Sequence, residues 1–272
     1  GEASNYSLAS GTLDVTARPI TLSGSRVYNG TTTVANADLT TFTNIVSGEA
    51  LALTGSGTVA DKNVGTNKAV TLGTLALADN TASASNYSLN SASLDVTQRP
   101  LNITATKAYD GNTTISSGSV TLSNLAGAET LNKSGNISTN SPNVGSFSTS
   151  DIAVSSLSLS DGTGIASNYI ISGGNYSATI TQKTLGLTGS KVYDATTAAN
   201  SSDLSLTGLV GSETLTLSGS GTLTTSAVGT GKTITLNTLA IANSTGLASN
   251  YQLSGTSTMD VTTRAVTASG SR

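Results

Sequence analysis

Apolar and polar residues alternate along most of this chain with a spacing of two. In TLDVTARPITLSG, the side chains of Leu13, Val15, Ile20 and Leu22 are separated by Thr, Asp and Ser. Leu51 and Leu53, Val70 and Leu72, and Leu75 and Leu77 keep the same rhythm. Successive side chains of a strand point to opposite faces, so this spacing predicts strands with one buried face and one face wetted by hydroxyls. Thr and Val suit a pleated surface, and breaks such as Gly55-Ser56-Gly57 supply the bends. No stretch carries the i, i+3, i+4, i+7 stripe of an amphipathic helix. The chain is expected to be all-β.

The same pattern returns twice more with different residues. Leu101 and Ile103, Val120 and Leu122, Ile152 and Val154 give it once; Leu185 and Leu187, Leu215 and Leu217, Ile234 and Leu236 give it again. Sharper markers keep the same beat. RVYNGTT, with Tyr28, returns as KAYDGNT, with Tyr109, and as KVYDATT, with Tyr193. Ser-Asn-Tyr occurs with Tyr6, Tyr87, Tyr169 and Tyr251, and Glu49, Glu129 and Glu213 hold one place in the period. Tyr28 and Tyr109 stand 81 residues apart, as do Tyr6 and Tyr87. Several markers on one period define a tandem array.

The boundaries are predicted where a strand ending DVTAR, DVTQR, ATITQK or DVTTR runs directly into the next strand. Residues 19–99, 100–183 and 184–264 are then three whole repeats. Residues 1–18 read as the C-terminal end of a preceding repeat, and 265–272 as the start of a following one. Six or seven strands in each repeat point to a small antiparallel β-sandwich. A β-solenoid is the competing architecture, but its period is commonly about 20–30 residues and no such subdivision is present. With no flexible Gly/Ser linker between repeats, the array is expected to form an elongated, stiff rod in which small repeats lean on their neighbours. Such arrays usually serve reach and spacing.

Composition narrows the function further. Of 272 residues only 10% are charged and 4% aromatic, and Cys, His and Trp are absent. There is therefore no disulfide framework, no thiolate nucleophile, and neither the commonest general base nor the commonest metal ligand. A net charge of -3 lacks the basic surface that nucleic acid demands. No apolar run is long enough to span a membrane as a helix. No signal peptide is visible, and the segment reads as cut from a longer protein.

The motifs are read structurally. Tyr-Asp-Gly at Tyr109–Gly111 is a tight turn needing φ > 0, and Asn29 at the matching place lacks the charge that an acid or metal ligand would need. The Ser-Asn-Tyr tyrosines stand at the head of a strand as anchors whose hydroxyls bond back to the chain; the functional alternative is sugar stacking on exposed rings. The three periodic glutamates are expected to pair with the basic columns Arg26, Lys107, Lys191 or Arg18, Arg99, Lys183, Arg264. An Asp-x-Asp-x-Asp-Gly calcium loop is absent, leaving only backbone-carbonyl sites open. No Ser has a base to activate it. No catalytic, cofactor-binding or metal residue is assigned, and no cofactor is expected.

The succession K-V-Y-D-G-T-T, Gly-Glu, N-V-G-T, S-N-Y and V-T-x-R-P resembles the YDG/MBG-type repeats of large secreted Gram-negative adhesins, haemagglutinin-like exoproteins. The resemblance covers all three repeats. It implies Ig-like repeats exported by two-partner secretion to the bacterial cell surface, serving as the stalk of an adhesin. By that reading the partners are neighbouring repeats, with a glycan or matrix polysaccharide taken by a tip outside this segment. The alternative is that the repeats themselves bind glycans, matrix polysaccharide or like repeats.

Overall fold

The computed structural model describes residues 1–270; the last two positions of the segment 265–272 lie outside the described residues. Those described are all-β, with strands joined by loops and by three-residue 3-10 turns. None of them forms a helix long and apolar enough to cross a membrane.

The first repeat comprises β1 (Arg18–Val27), β2 (Thr33–Ala35), β3 (Thr41–Thr43), β4 (Ala52–Thr54), β5 (Ser56–Val59), β6 (Gly65–Thr71), β7 (Ala76–Ala78) and β8 (Tyr87–Thr97). Six of these form one sheet in the order β2-β5-β6-β8-β1-β3, and β4 pairs with β7 as a separate ribbon. Neighbours are antiparallel except at the centre. There β1 and β8, the first and last strands, run parallel, with Leu22 opposite Ala92 and Arg26 opposite Val96. Alternation sets which face a side chain occupies and not which way its strand runs, so this parallel centre is invisible in the sequence pattern.

The third repeat repeats the design. Its sheet runs Ala198–Asn200, Ser220–Leu223, Gly229–Thr235, Tyr251–Thr262, Lys183–Val192, Leu204–Thr207, and its first and last strands are again parallel. In the second repeat the sheet is divided. Val120–Ser123, Asn102–Ala108, Tyr176–Thr181 and Gly145–Phe147 form one part, while Thr114–Ser116, Leu131–Thr139 and Ile152–Ala153 belong to another. Asn102–Ala108 and Tyr176–Thr181 keep the parallel pairing.

One glycine is structurally obligatory in every repeat. At Gly55 (φ +79°) the chain folds between β4 and β5, and a Cβ would lie 2.0 Å from the Thr74 carbonyl oxygen. Gly135 (φ +81°) and Gly219 (φ +85°) hold the same place, 2.0 and 2.2 Å from the carbonyls of Ser156 and Thr238. Only a residue without a side chain fits.

Contacts divide the chain into two compact units, and the division does not follow the sequence period. The first holds Gly1–Leu101, Asn124–Asn132 and Ser160–Gly173; the second holds Asn102–Ser123, Lys133–Leu159 and Gly174 onward. The first repeat thus shares a unit with two loop segments of the second repeat. In the first unit Ile20, Leu51, Ala82 and Tyr87 form a buried cluster with Phe42 and Leu77 against it. In the second unit Leu187, Leu223, Ile234, Met259 and Val261 make the core of the third repeat. A separate cluster there joins Tyr109 and Ile180 of the second repeat to Leu185 and Tyr251 of the third.

Leu13 and Val15 depart from expectation. They lie outside any strand and are each 89% exposed. Their counterparts Leu94 and Val96 are buried because β1 and β6 flank them on both sides. Residues 13–15 have no such flanking strands, and alternation alone does not make a strand.

Candidate functional site

The sequence markers converge on the places where one repeat meets the next. Each turn tyrosine directly follows the first strand of its repeat, and its N–H donates to the carbonyl of the last strand: Tyr28 to Thr97 at 2.9 Å, Tyr109 to Thr181 at 2.8 Å, Tyr193 to Thr262 at 2.9 Å. The next residue then closes the turn through its side-chain oxygen, which accepts the N–H two residues on. Asn29 accepts from Thr31 at 3.1 Å, Asp110 from Asn112 at 2.9 Å and Asp194 from Thr196 at 2.9 Å. An amide oxygen does this as well as a carboxylate, which is why Asn29 is tolerated. The third position has φ of +80°, +78° and +64° in Gly30, Gly111 and Ala195.

The basic column before the tyrosine is used up by the turn. The Lys191 ammonium donates to Asp194 at 3.0 Å and to the carbonyls of Thr196 and Ala198 at 2.9 and 2.7 Å. Lys107 holds Asp110 and the Asn112 and Thr114 carbonyls in the same way. Asp194 is held down to about 2, first by the Thr196 N–H and then by Lys191. The junction column is engaged elsewhere: Arg18 and Arg99 each grip the carbonyl and side-chain oxygen of Asn44 and Asn124. The expected pairing of these columns with the periodic glutamates is therefore corrected. Their donors are already committed to nearby oxygens.

What the glutamates bind instead is tyrosine. In the first unit Glu129 accepts from Tyr28 at 2.8 Å and from Tyr169 at 2.6 Å, one phenol on each carboxylate oxygen. The two rings meet edge to face with centroids 5.4 Å apart. Lys62, outside both columns, adds an ion pair to Glu129 and lies 5.9 Å from the centre of the Tyr28 ring. In the second unit the arrangement recurs: Glu213 accepts from Tyr109 and Tyr251, both at 2.6 Å, and those rings are 5.3 Å apart at 79°. Tyr28 and Tyr109 belong to the earlier repeat of each joint; the glutamate and the Ser-Asn-Tyr tyrosine belong to the later one.

The Ser-Asn-Tyr tyrosine also bonds back to its own repeat. Tyr169 and Tyr251 accept the N–H of Ala126 at 3.0 Å and of Val210 at 3.1 Å. The asparagine of the motif completes the joint. Buried Asn168 accepts the N–H of Val64 and donates to the Asn63 side chain, both at 2.9 Å. Asn250 does the same to Val144 and Asn143, again at 2.9 Å. Gln98 and Gln182 reach across to carbonyls flanking the motif: Ser167 and Tyr169 in one joint, Ser249 and Tyr251 in the other.

Burial, reinforced by the neighbouring carboxylate, pushes Tyr169 and Tyr251 up to about 12 and raises Tyr28 and Tyr109 as well. Phenols so displaced stay protonated and act as donors rather than as nucleophiles or bases. Among the described residues no group of three or more His, Cys, Asp or Glu could hold a metal ion. What this arrangement can do is hold one repeat against the next.

The remaining markers lie outside a closed joint. Tyr87 donates to Glu49 and accepts the Val46 N–H at 3.2 Å, with no turn tyrosine on the pair. Tyr193 is 38% exposed and Tyr6 78%. Sequence reasoning missed Lys62, the Asn-Val pair, Asn168, Asn250 and the two glutamines as joint residues. Asn-Val-Gly and Ser-Asn-Tyr were visible as recurring words, and that recurrence was the available signal.

Replacing Asn168 by alanine strips the Val64 N–H and the Asn63 amide of a buried partner. We expect it to lower the unfolding free energy by about 2 kcal/mol. Asn86→Ala, at the exposed equivalent position, should cost nearly nothing; urea denaturation of the two variants makes the comparison.

The YDG domain family model matches three times in succession, over residues 12–94, 97–180 and 176–259. The chain belongs to the YDG domain family and consists of tandem YDG repeats. Searches of curated proteins and of solved structures found no match.

Proposed function

We propose that this chain is a length of non-enzymatic stalk from a secreted bacterial adhesin, a spacer that projects an adhesive tip from the cell surface for attachment to cells, host or biofilm. The observation that carries the reading is the parallel pairing of first and last strands. Parallel central strands bring the chain in at one end of a repeat and let it leave at the other, so each repeat adds length instead of folding back. A strand of ten residues such as β1 covers about 33 Å. Glycan or polysaccharide recognition then falls to the tip, and the partners of this segment are its neighbouring repeats.

Small-angle scattering tests the reading. Three repeats laid end to end make a rod of about 100 Å, with a radius of gyration of about 29 Å, whereas a compact ball of this length has about 18 Å. A value near the lower figure, or the profile of a freely hinged string, would overturn the spacer.

A further inference from the structure

Both closed joints use the same outgoing set of residues besides the tyrosine: a glycine in the turn, an asparagine before Val-Gly, and a glutamine after the last strand. Each member has a definite job. A Cβ on Gly30 would lie 3.2 Å from the Ala126 side chain, and one on Gly111 would lie 3.0 Å from Val210 Cγ1. The later repeat therefore comes down on a bare backbone. Asn63 and Asn143 accept the amide of the buried Ser-Asn-Tyr asparagine. Gln98 and Gln182 each satisfy two carbonyls of the later repeat.

The third repeat has the same outgoing face, with Tyr193 38% and Val228 50% exposed, but none of the three residues. Ala195 stands in the turn, Ala227 before Val-Gly, and Thr263 after the last strand. The first repeat carries a complete incoming face: Glu49 bound to Tyr87, exposed Asn86, and Val46 where the other repeats have Ala126 and Val210. Set against it, the Ala195 methyl would occupy the space that Val46 needs. Ala227 would leave the Asn86 amide without an acceptor, and Thr263 is too short to reach the two carbonyls.

We propose that the glycine, asparagine and glutamine decide which repeat faces may join, and that Ala195, Ala227 and Thr263 bar the third repeat from the Glu49–Asn86–Tyr87 face of a second copy of this chain. The contact is heterologous, so a matched pair of free faces would add copies head to tail without closing. The three replacements suppress that. Each is expected to weaken docking by about tenfold or more, the usual cost of one missing hydrogen-bonding group or one steric conflict.

The test restores the match in the whole chain with Ala195→Gly, Ala227→Asn and Thr263→Gln together. All three positions are exposed, and glycine suits φ +64° at residue 195 better than alanine does, so the fold should be retained. Sedimentation equilibrium up to ~1 mM should find the natural chain at its monomer mass throughout. The restored variant should grow in mass with concentration, and adding Asn86→Ala should abolish that growth. Association of the natural chain to the same extent as the variant, a variant that stays monomeric, or growth that survives Asn86→Ala would each overturn the proposal.

Discussion

Tyr109→Ala should lower the unfolding free energy of the second unit by about 4 kcal/mol, the usual cost of deleting a buried aromatic side chain. The ring is 5% exposed and sits in the cluster with Ile180, Leu185 and Tyr251. Its loss opens a cavity against Tyr251, removes an edge-to-face contact and takes one of two phenols from Glu213. The same substitution at Tyr193 should cost less than about 1 kcal/mol, because its ring has no later repeat to fill. The two residues occupy the same position of the period and follow the same kind of strand, so intrinsic propensity cancels in the comparison. Denaturant unfolding monitored by circular dichroism reads both. Equal losses would mean that the tyrosine serves its own repeat and not the joint.

That contrast shows where the sequence stops being informative. Alternation at Ile20/Leu22 and Leu185/Leu187 identified strands whose side chains are buried as read. The period located every tyrosine and glutamate of the joints. Neither signal says which repeat a residue touches. Tyr28 and Glu129 are 101 residues apart, one period and a further loop, and a periodic word looks the same whether it faces inward or toward its neighbour. The Ser-Asn-Tyr tyrosine was legible as a strand-head anchor because its bond to Ala126 or Val210 is local to the repeat. Its second bond, to the glutamate shared with the preceding repeat, was not.

Charge misled for a physical reason. Lys107 and Lys191 recur in register with Glu129 and Glu213, but an ammonium beside a tight turn finds several inward-pointing oxygens within reach before any distant carboxylate. Lys62 belongs to no column, and only folding brings it to Glu129. Parallel pairing of the outer strands escaped for a related reason: it is a property of chain direction, which residue identity does not record.

Glu129→Ala is expected to cost about 3 kcal/mol, since truncation leaves two buried phenols and Lys62 without their shared acceptor. The loss falls short of the largest values for buried ion pairs because the Lys62 side chain is 39% exposed and water can take part of the burden. The pH dependence follows from the same contacts. Burial alone would raise the Glu129 carboxyl, but Lys62 and the hydroxyls of Tyr169 and Tyr28 outweigh it and hold the group below its ordinary value. A carboxyl depressed in the folded state contributes its full stability above the unfolded pKa of about 4.3, and that contribution is lost as pH falls through the lower folded value. The first joint should therefore keep a constant strength from neutral pH to about 5 and weaken below about 4. At the alkaline end the order reverses for Tyr169, raised to about 12: its contribution is complete below about pH 10 and declines as pH rises toward the folded value. Urea midpoints measured across the acid range for the natural chain and Glu129→Gln separate this joint from the rest of the fold. The variant should be weaker at neutral pH, and the difference between the two should shrink as the natural carboxylate protonates. A gap that stays the same down to pH ~3 would place the stabilisation in shape alone and remove the carboxylate from the joint.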